Sequence, residues 1–339
     1  MSGYRAFTVS GAGHWALAER EAAQPGPGQV RLRVEACGVC ATDALAVNGL
    51  FRPDPSAPIV PGHEIVGRID AIGEGVTGRH VGERVGVGFL GGHCGVCEQC
   101  RRGDFVNCTA QPLTGTTVDG GYAEVAYAKA NALVGIPEAF DSVEAAPLLC
   151  AGLTVYSALR DLGARPGALV AVQGIGGLGH LGLQYASKLG YEVVAISRGG
   201  DKADLAASLG ARHYIDGDAE EPGEALRRLG GAAGIIATAA SGASMSPLIP
   251  GLAPRGRLIV VGAGLDPITV TPGDLIFGER TISGTITGRT VEGEDNLAFT
   301  LSQGIRPITE VLPLSEAPKA YERLRAGRAR FRIVLDPAA

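Results

Sequence analysis

The chain has 339 residues, enough for two domains of ordinary size, and its apolar share of 45 % lets it bury a sizeable core. The formal charge of −5, with acids and bases interspersed, leaves no basic face for nucleic acid. No apolar run approaches the ~20 residues of a membrane helix, and the N-terminus lacks the charged start and apolar stretch of a secretory signal, so a cytoplasmic protein with no nucleic-acid or membrane partner is expected.

In chain order, about the first 145 residues read as a β-rich unit with many turns. Val30, Leu32 and Val34 alternate with Arg31 and Arg33, the pattern of a half-buried strand, after Gly-Pro punctuation at residues 25–28. Of the seven cysteines, Cys94, Cys97, Cys100 and Cys108 crowd into one segment. Such crowding in a reducing compartment points to metal rather than disulfides. Four thiolates at this spacing can close a tetrahedron around Zn²⁺, which leaves no open position and makes the role structural. An iron–sulfur cluster also uses four thiolates and stays open as an alternative. His93 borders the lobe as a bystander, because four sulfurs already saturate a metal.

The pattern changes after Pro147. Residues 168–173 form a short apolar run, followed by a glycine-rich turn, a helical segment to Leu189 and Gly190 where a C-cap glycine belongs. Apolar runs recur at 191–197, 234–239 and 257–262, with a helical stretch ending at Gly210. A helical stretch over 315–326 and a strand over 331–335 close the chain. Strands alternating with helices at this spacing predict an α/β fold with a doubly wound parallel sheet.

Gly174-Ile175-Gly176-Gly177-Leu178-Gly179 fits G-x-G-x-x-G between a predicted strand and a predicted helix, the context a dinucleotide site requires. Glycines admit a pyrophosphate to the backbone, and the helix N-terminus offers it free N–H groups. The next strand ends at Ser197-Arg198, with Lys202 close behind, where an NAD site carries an acid for the ribose 2′-OH. A guanidinium there suits a 2′-phosphate, so NADP(H) is expected over NAD(H).

Several segments together resemble the zinc-containing medium-chain alcohol dehydrogenases, close to the shorter microbial and the cinnamyl alcohol dehydrogenase types. They are Cys37-Gly38-Val39-Cys40-Ala41-Thr42-Asp43, Pro61-Gly62-His63-Glu64, the cysteine lobe, the glycine turn, and Ala146-Pro147-Leu148-Leu149-Cys150-Ala151-Gly152. The likeness runs over about residues 31–335. It implies a GroES-like catalytic domain from 1–147 and 288–339, with its zinc lobe near 91–109, and a Rossmann domain over 148–287.

The resemblance also implies two zinc ions per chain. One is structural, on the four-cysteine lobe; the other is catalytic, held by Cys40, His63 and Cys150, with Glu64 entering its shell transiently and Asp43 orienting the His63 ring. Four structural and two catalytic cysteines leave only Cys37, a packing residue. The expected activity is hydride transfer between NADP(H) and a small aliphatic or aromatic alcohol or aldehyde, in a homodimer or homotetramer. Thr42 is the candidate to hydrogen-bond the substrate oxygen.

Phe51 and Phe89 align with aromatic positions of the family's substrate pocket, while Thr238 and residues 284–289 belong near the nicotinamide half of the cofactor. Two positions depart from the family: Ala41 stands where a His or Arg often touches the pyrophosphate, and Leu45 where a relay histidine is common. Arg332 is the expected substitute for the missing phosphate contact. A zinc-free reductase of the same fold is disfavoured by both cysteine sets. The alternative from another class is a zinc-stabilised nucleotide-binding sensor or structural protein without significant turnover.

Overall fold

A computed structural model describes residues 3–11 and 13–339. The chain divides into two compact units: residues 1–150, 288–302 and 306–339 form one, and residues 151–287 with 303–305 form the other.

The first unit is built on a seven-stranded sheet. Its order runs Thr309–Pro313, Arg332–Asp336, Gln29–Val39, Glu64–Ile72, Arg84–Val87 and Leu133–Gly135, with Val125–Lys129 also pairing Gln29–Val39. A hairpin of Tyr4–Ser10 and His14–Arg20 stands apart from this sheet. The strand expected over 30–34 extends to Val39, because Glu64–Ile72 pairs along most of its length and Arg332–Asp336 pairs its far end. Val30, Leu32 and Val34 lie buried in one core with Ile65, Ile69, Val85 and Val87. That burial, at about 25 cal/mol per Å² of apolar surface, is the main stabilising term for the sheet.

Pairing in this sheet brings distant residues together. Gly38 faces Glu64 in antiparallel register, which sets Cys40, just beyond one strand, beside His63, just before the other. Val39 also pairs with Ile333, so Arg332 arrives at the same end.

The second unit holds a six-stranded sheet, parallel throughout. Its order is His213–Asp216, Glu192–Ser197, Leu169–Gln173, Ala232–Ala237, Leu252–Val260 and Thr281–Gly284. Chain order reverses at Leu169–Gln173, and ligands of such sheets bind at the carboxyl end of the strand where this happens. Helix Gly179–Lys188 follows that strand, ending at Leu189 with Gly190 in the left-handed region at φ +86°.

Two strands of this parallel sheet escaped sequence reading. His213–Asp216 and Thr281–Gly284 are four-residue edge strands of mixed polarity, too short to establish a period. The helix expected over 315–326 opens as a 3₁₀ turn at Leu314–Glu316 and becomes α-helical over Ala317–Arg325. Among the described residues no single helix is long and apolar enough to cross a membrane.

Candidate active site

Four potential ligand groups converge in the first unit: the sulfurs of Cys40 and Cys150, a ring nitrogen of His63 and a carboxylate oxygen of Glu64, all within 4.8 Å of one another. Sheet register supplies Cys40, His63 and Glu64. Cys150 comes from elsewhere, at the end of the 3₁₀ turn Ala146–Leu149. That turn is tied down by Asn296 of helix Thr290–Gln303, whose Nδ2 donates to the Leu148 carbonyl at 3.1 Å.

Room for Glu64 depends on a glycine. A Cβ on Gly38 would lie 1.9 Å from Glu64 Oε2, so the bare backbone of Cys37-Gly38-Val39-Cys40 accommodates the carboxylate. The Arg332 guanidinium donates to Glu64 Oε1 and, at 3.2 Å, to the Val39 carbonyl. Arg332 is 2 % exposed. It therefore does not offer its head to a cofactor phosphate as expected; its charge offsets that of a buried carboxylate. Even so, burial outweighs the cation and raises Glu64 to about 7.

His63 lies at 1 % exposure with its Nδ1 3.0 Å from Asp43 Oδ1. A carboxylate beside Nδ1 favours the tautomer that carries the proton there and leaves the Nε2 lone pair for the cluster. His63 Nε2 and Glu64 Oε2 are buried without hydrogen-bond partners. Unpaired buried polar atoms cost about 1–3 kcal/mol each, a cost that a metal ion bound by the cluster would relieve. The Cys40 thiol is held well below its ordinary range by its hydrogen bond with Cys150 and by His63. The same hydrogen bond and burial push Cys150 well up. Two sulfurs, an imidazole nitrogen and a carboxylate suit zinc.

Around this cluster, Phe89 meets the His63 ring edge-on at 5.2 Å. Phe51 does not sit in a lined pocket of this unit: it is 69 % exposed, in a turn at φ +61°. Thr42 is half-buried beside Cys40, and its hydroxyl has no hydrogen-bond partner among the described residues. Ala41 is exposed and Leu45 half-buried. Cys37 is fully buried in the core, a packing residue as its apolar surroundings dictate.

The sulfurs of Cys94, Cys97, Cys100 and Cys108 also lie within 4.8 Å of one another. Backbone N–H groups of Cys97 and Cys100 point at the sulfurs of Cys94 and Cys97, at 3.3 and 3.5 Å. The Cys100 N–H, and next that of Thr109, lower Cys97 to about 5. Cys94 and Cys100 Sγ stand 3.9 Å apart, far beyond a disulfide but close to the ~3.8 Å edge of a tetrahedron with 2.3 Å zinc–sulfur bonds. That spacing suits one ion better than a multi-iron cage. His93 stacks on Phe105 at 4.1 Å and is outside the ligand group.

In the second unit the glycine turn follows Leu169–Gln173. Gly174 has φ +88°, and a Cβ on Gly179 would lie 1.7 Å from the Gly174 carbonyl oxygen, so both positions require glycine. Gly176 faces open space, where Ile175, Gly177 and Leu178 continue the turn toward the helix. Thr238 donates to the carbonyl of Gln173 at 2.7 Å and so braces the turn from the next strand. Ser197 ends Glu192–Ser197, Arg198 is exposed with no ion pair among the described residues, and Lys202 immediately precedes helix Ala203–Ser208. Asp216 pairs with Ser197 across the sheet, but its Oδ1 accepts from the N–H groups of Gly199 and Asp218 at 2.8 and 2.9 Å. In the 284–289 stretch, Gly284 ends the edge strand, and Arg289 is paired with Glu292 at 2.8 Å at the start of helix Thr290–Gln303.

Comparison with known proteins accords with this geometry. Residues 26–138 match the model of the alcohol dehydrogenase GroES-like domain, and residues 177–302 that of the zinc-binding dehydrogenases. The chain is 42 % identical over 312 residues to alcohol dehydrogenase notN of Aspergillus sp. (strain MF297-2), covering 92 % of this chain and 91 % of that one. It is 40 % identical over 309 residues to an alcohol dehydrogenase of Geobacillus stearothermophilus, covering 91 % of each. A cinnamyl alcohol dehydrogenase from Sorghum bicolor superimposes with a TM-score of 0.89 at 31 % identity, covering 100 % of this chain and 98 % of that one. A cinnamyl alcohol dehydrogenase from Helicobacter pylori in complex with NADP(H) gives 0.84 at 27 % identity, covering 99 % and 98 %.

The chain belongs to the zinc-type medium-chain alcohol dehydrogenases, with a GroES-like domain and a Rossmann-type parallel sheet. It is an oxidoreductase that interconverts small alcohols and their carbonyl counterparts with a nicotinamide cofactor.

Proposed function

We propose that the chain carries two zinc ions and prefers NADP(H), reducing small aliphatic or aromatic aldehydes and oxidising the matching alcohols. The observation that carries the catalytic site is the unpartnered, fully buried Nε2 of His63 beside the sulfurs of Cys40 and Cys150. These three residues hold the catalytic ion, with Glu64 Oε2 as the fourth group at hand. The sulfurs of Cys94, Cys97, Cys100 and Cys108 hold the structural one.

Zinc supplies Lewis acidity to the reacting oxygen, and the nicotinamide ring supplies or accepts the hydride. Asp43 keeps the His63 tautomer that offers a lone pair. Thr42, with its hydroxyl unengaged, donates a hydrogen bond to the substrate oxygen and takes up or releases its proton. Leu45 cannot continue that relay, so the proton exchanges with water or the ribose hydroxyls of the cofactor. Phe89 supplies an apolar, edge-on wall suited to an alkyl or aryl substituent.

Support for NADP(H) is the absence of an acid at Ser197, the free Arg198 beside it, and an Asp216 whose Oδ1 is engaged by backbone. Seven cysteines, none of them in a disulfide, fit a reducing, cytoplasmic setting. The exposed Leu265, Ile276 and Phe277, together with the edge strand Thr281–Gly284, support a homo-oligomer.

The test is metal analysis of the purified protein combined with a panel of aldehydes and alcohols assayed with both cofactors. Two zincs per chain and higher kcat/KM with NADPH are expected. A protein that turns over aldehydes with neither zinc nor loss of activity on chelation would overturn the proposal.

A further inference from the structure

The carboxylate of Asp43 touches two proposed ligands at once. Its Oδ2 accepts from the Cys40 backbone N–H at 2.9 Å, and its Oδ1 lies 3.0 Å from His63 Nδ1. The torsion that turns a carboxylate about its own axis is soft, so its orientation must be set by what it touches. One further donor does this: the Tyr122 hydroxyl donates to Asp43 Oδ2 at 2.7 Å.

Tyr122 is itself held on several sides. It is fully buried, and its backbone N–H donates to the Pro61 carbonyl at 2.9 Å, two residues before His63. The ring packs so tightly on the backbone there that a Cβ on Gly62 would lie 2.3 Å from Tyr122 Cδ1. Trp15 stacks behind it, with ring centroids 6.3 Å apart and planes 15° apart. Burial, and next the Asp43 charge, raise the phenol well above its usual range, so it remains a donor at any working pH.

We propose that Tyr122 is a positioning residue for the metal centre: its hydroxyl fixes the Asp43 carboxylate, which in turn aims His63 Nε2 and the Cys40 loop. The proposal rests on the reading that Cys40, His63 and Cys150 hold zinc. Outer partners of this kind change metal affinity by about 10–100-fold when removed. The hydroxyl is one bond further out, so the lower end of that range is expected.

Tyr122→Phe removes the hydroxyl and keeps the ring that packs on Gly62 and Trp15. The full chain, wild type and variant, is dialysed against graded chelator, and zinc retention and thermal unfolding are measured. The zinc of the four-cysteine lobe serves as an internal control. The expected result is that one of two zincs leaves Tyr122→Phe at about ten-fold lower chelator, while the other is retained as in the wild type. In an Asp43→Ala background, which leaves the hydroxyl no acceptor, Tyr122→Phe should then have no further effect on zinc retention, because it acts through that carboxylate.

Unchanged retention of both zincs in Tyr122→Phe overturns the proposal. So does equal loss of both, or additive losses in the double variant, since either assigns the tyrosine a general packing role. A wild-type chain that holds only the lobe zinc overturns the catalytic-site reading instead, and this inference with it.

Discussion

Gly38 stands directly opposite Glu64 across two antiparallel strands, and the buried carboxylate occupies the space that any side chain at Gly38 would fill. Gly38→Ala must therefore displace either Glu64 or a strand. Overpacking of this kind costs about 1–3 kcal/mol. Denaturant unfolding should record a loss in that range, and zinc analysis a weakened catalytic site. A variant as stable as wild type, with both zincs intact, would contradict the crowding.

The pairing of Glu64 with Arg332 predicts a pH dependence in the metal-free protein. Glu64 is raised from an ordinary 4.5 to about 7 by burial, which Arg332 only partly opposes. The folded state thus holds this proton more tightly than the unfolded chain does. The contribution of Glu64 to stability is fully present below pH 4.5 and is lost as pH rises to about 7. Thermal unfolding of the chelated protein across this window should decline with pH, and the decline should be shallower in Glu64→Gln. Identical profiles for the two proteins would refute the assignment.

Cys100→Ala leaves three sulfurs in the lobe and opens its tetrahedron. One zinc per chain should be lost, and the unfolding midpoint should fall by roughly 10 °C, as for a loss of a few kcal/mol. KM for the aldehyde measured on the remaining folded protein should hold, because the lobe shares no ligand with the Cys40, His63 and Cys150 group. Loss of the catalytic zinc at the same time would tie the lobe to the chemistry after all.

Ser197→Asp combined with Arg198→Ala places a carboxylate at the end of Glu192–Ser197 and withdraws the free guanidinium. The NADPH to NADH ratio of kcat/KM should drop by about 10–100-fold, the equivalent of one or two lost charge-assisted contacts. The proposed preference fails if the ratio stays where it was.

Motifs whose physics is local were legible along the chain. The glycine turn is one: Gly174 and Gly179 are required by contacts within a single strand–turn–helix. The cysteine lobe is another, since residues 94–108 fold back on themselves through their own backbone N–H···S contacts. The edge strands His213–Asp216 and Thr281–Gly284 were not legible, because four residues of mixed polarity carry no period and are ordered by the neighbour they pair with. Arg332 was misjudged for a related reason. Its role depends on Ile333 pairing with Val39, which no stretch of sequence near it reveals.

By itself the sequence determined the cofactor turn, the sulfur lobe and the alternation that builds the parallel sheet, since steric room, ligand spacing and hydrophobic period all act over short distances. The grouping of Cys150 with Cys40 and His63, which the resemblance implied and no local spacing gave, comes from the tertiary structure, as do the contacts of Arg332 with Glu64 and of the Tyr122 hydroxyl with Asp43. Those contacts come from strand register and core packing between segments far apart in the chain, where the energy of an arrangement belongs to the assembled whole rather than to any run of residues.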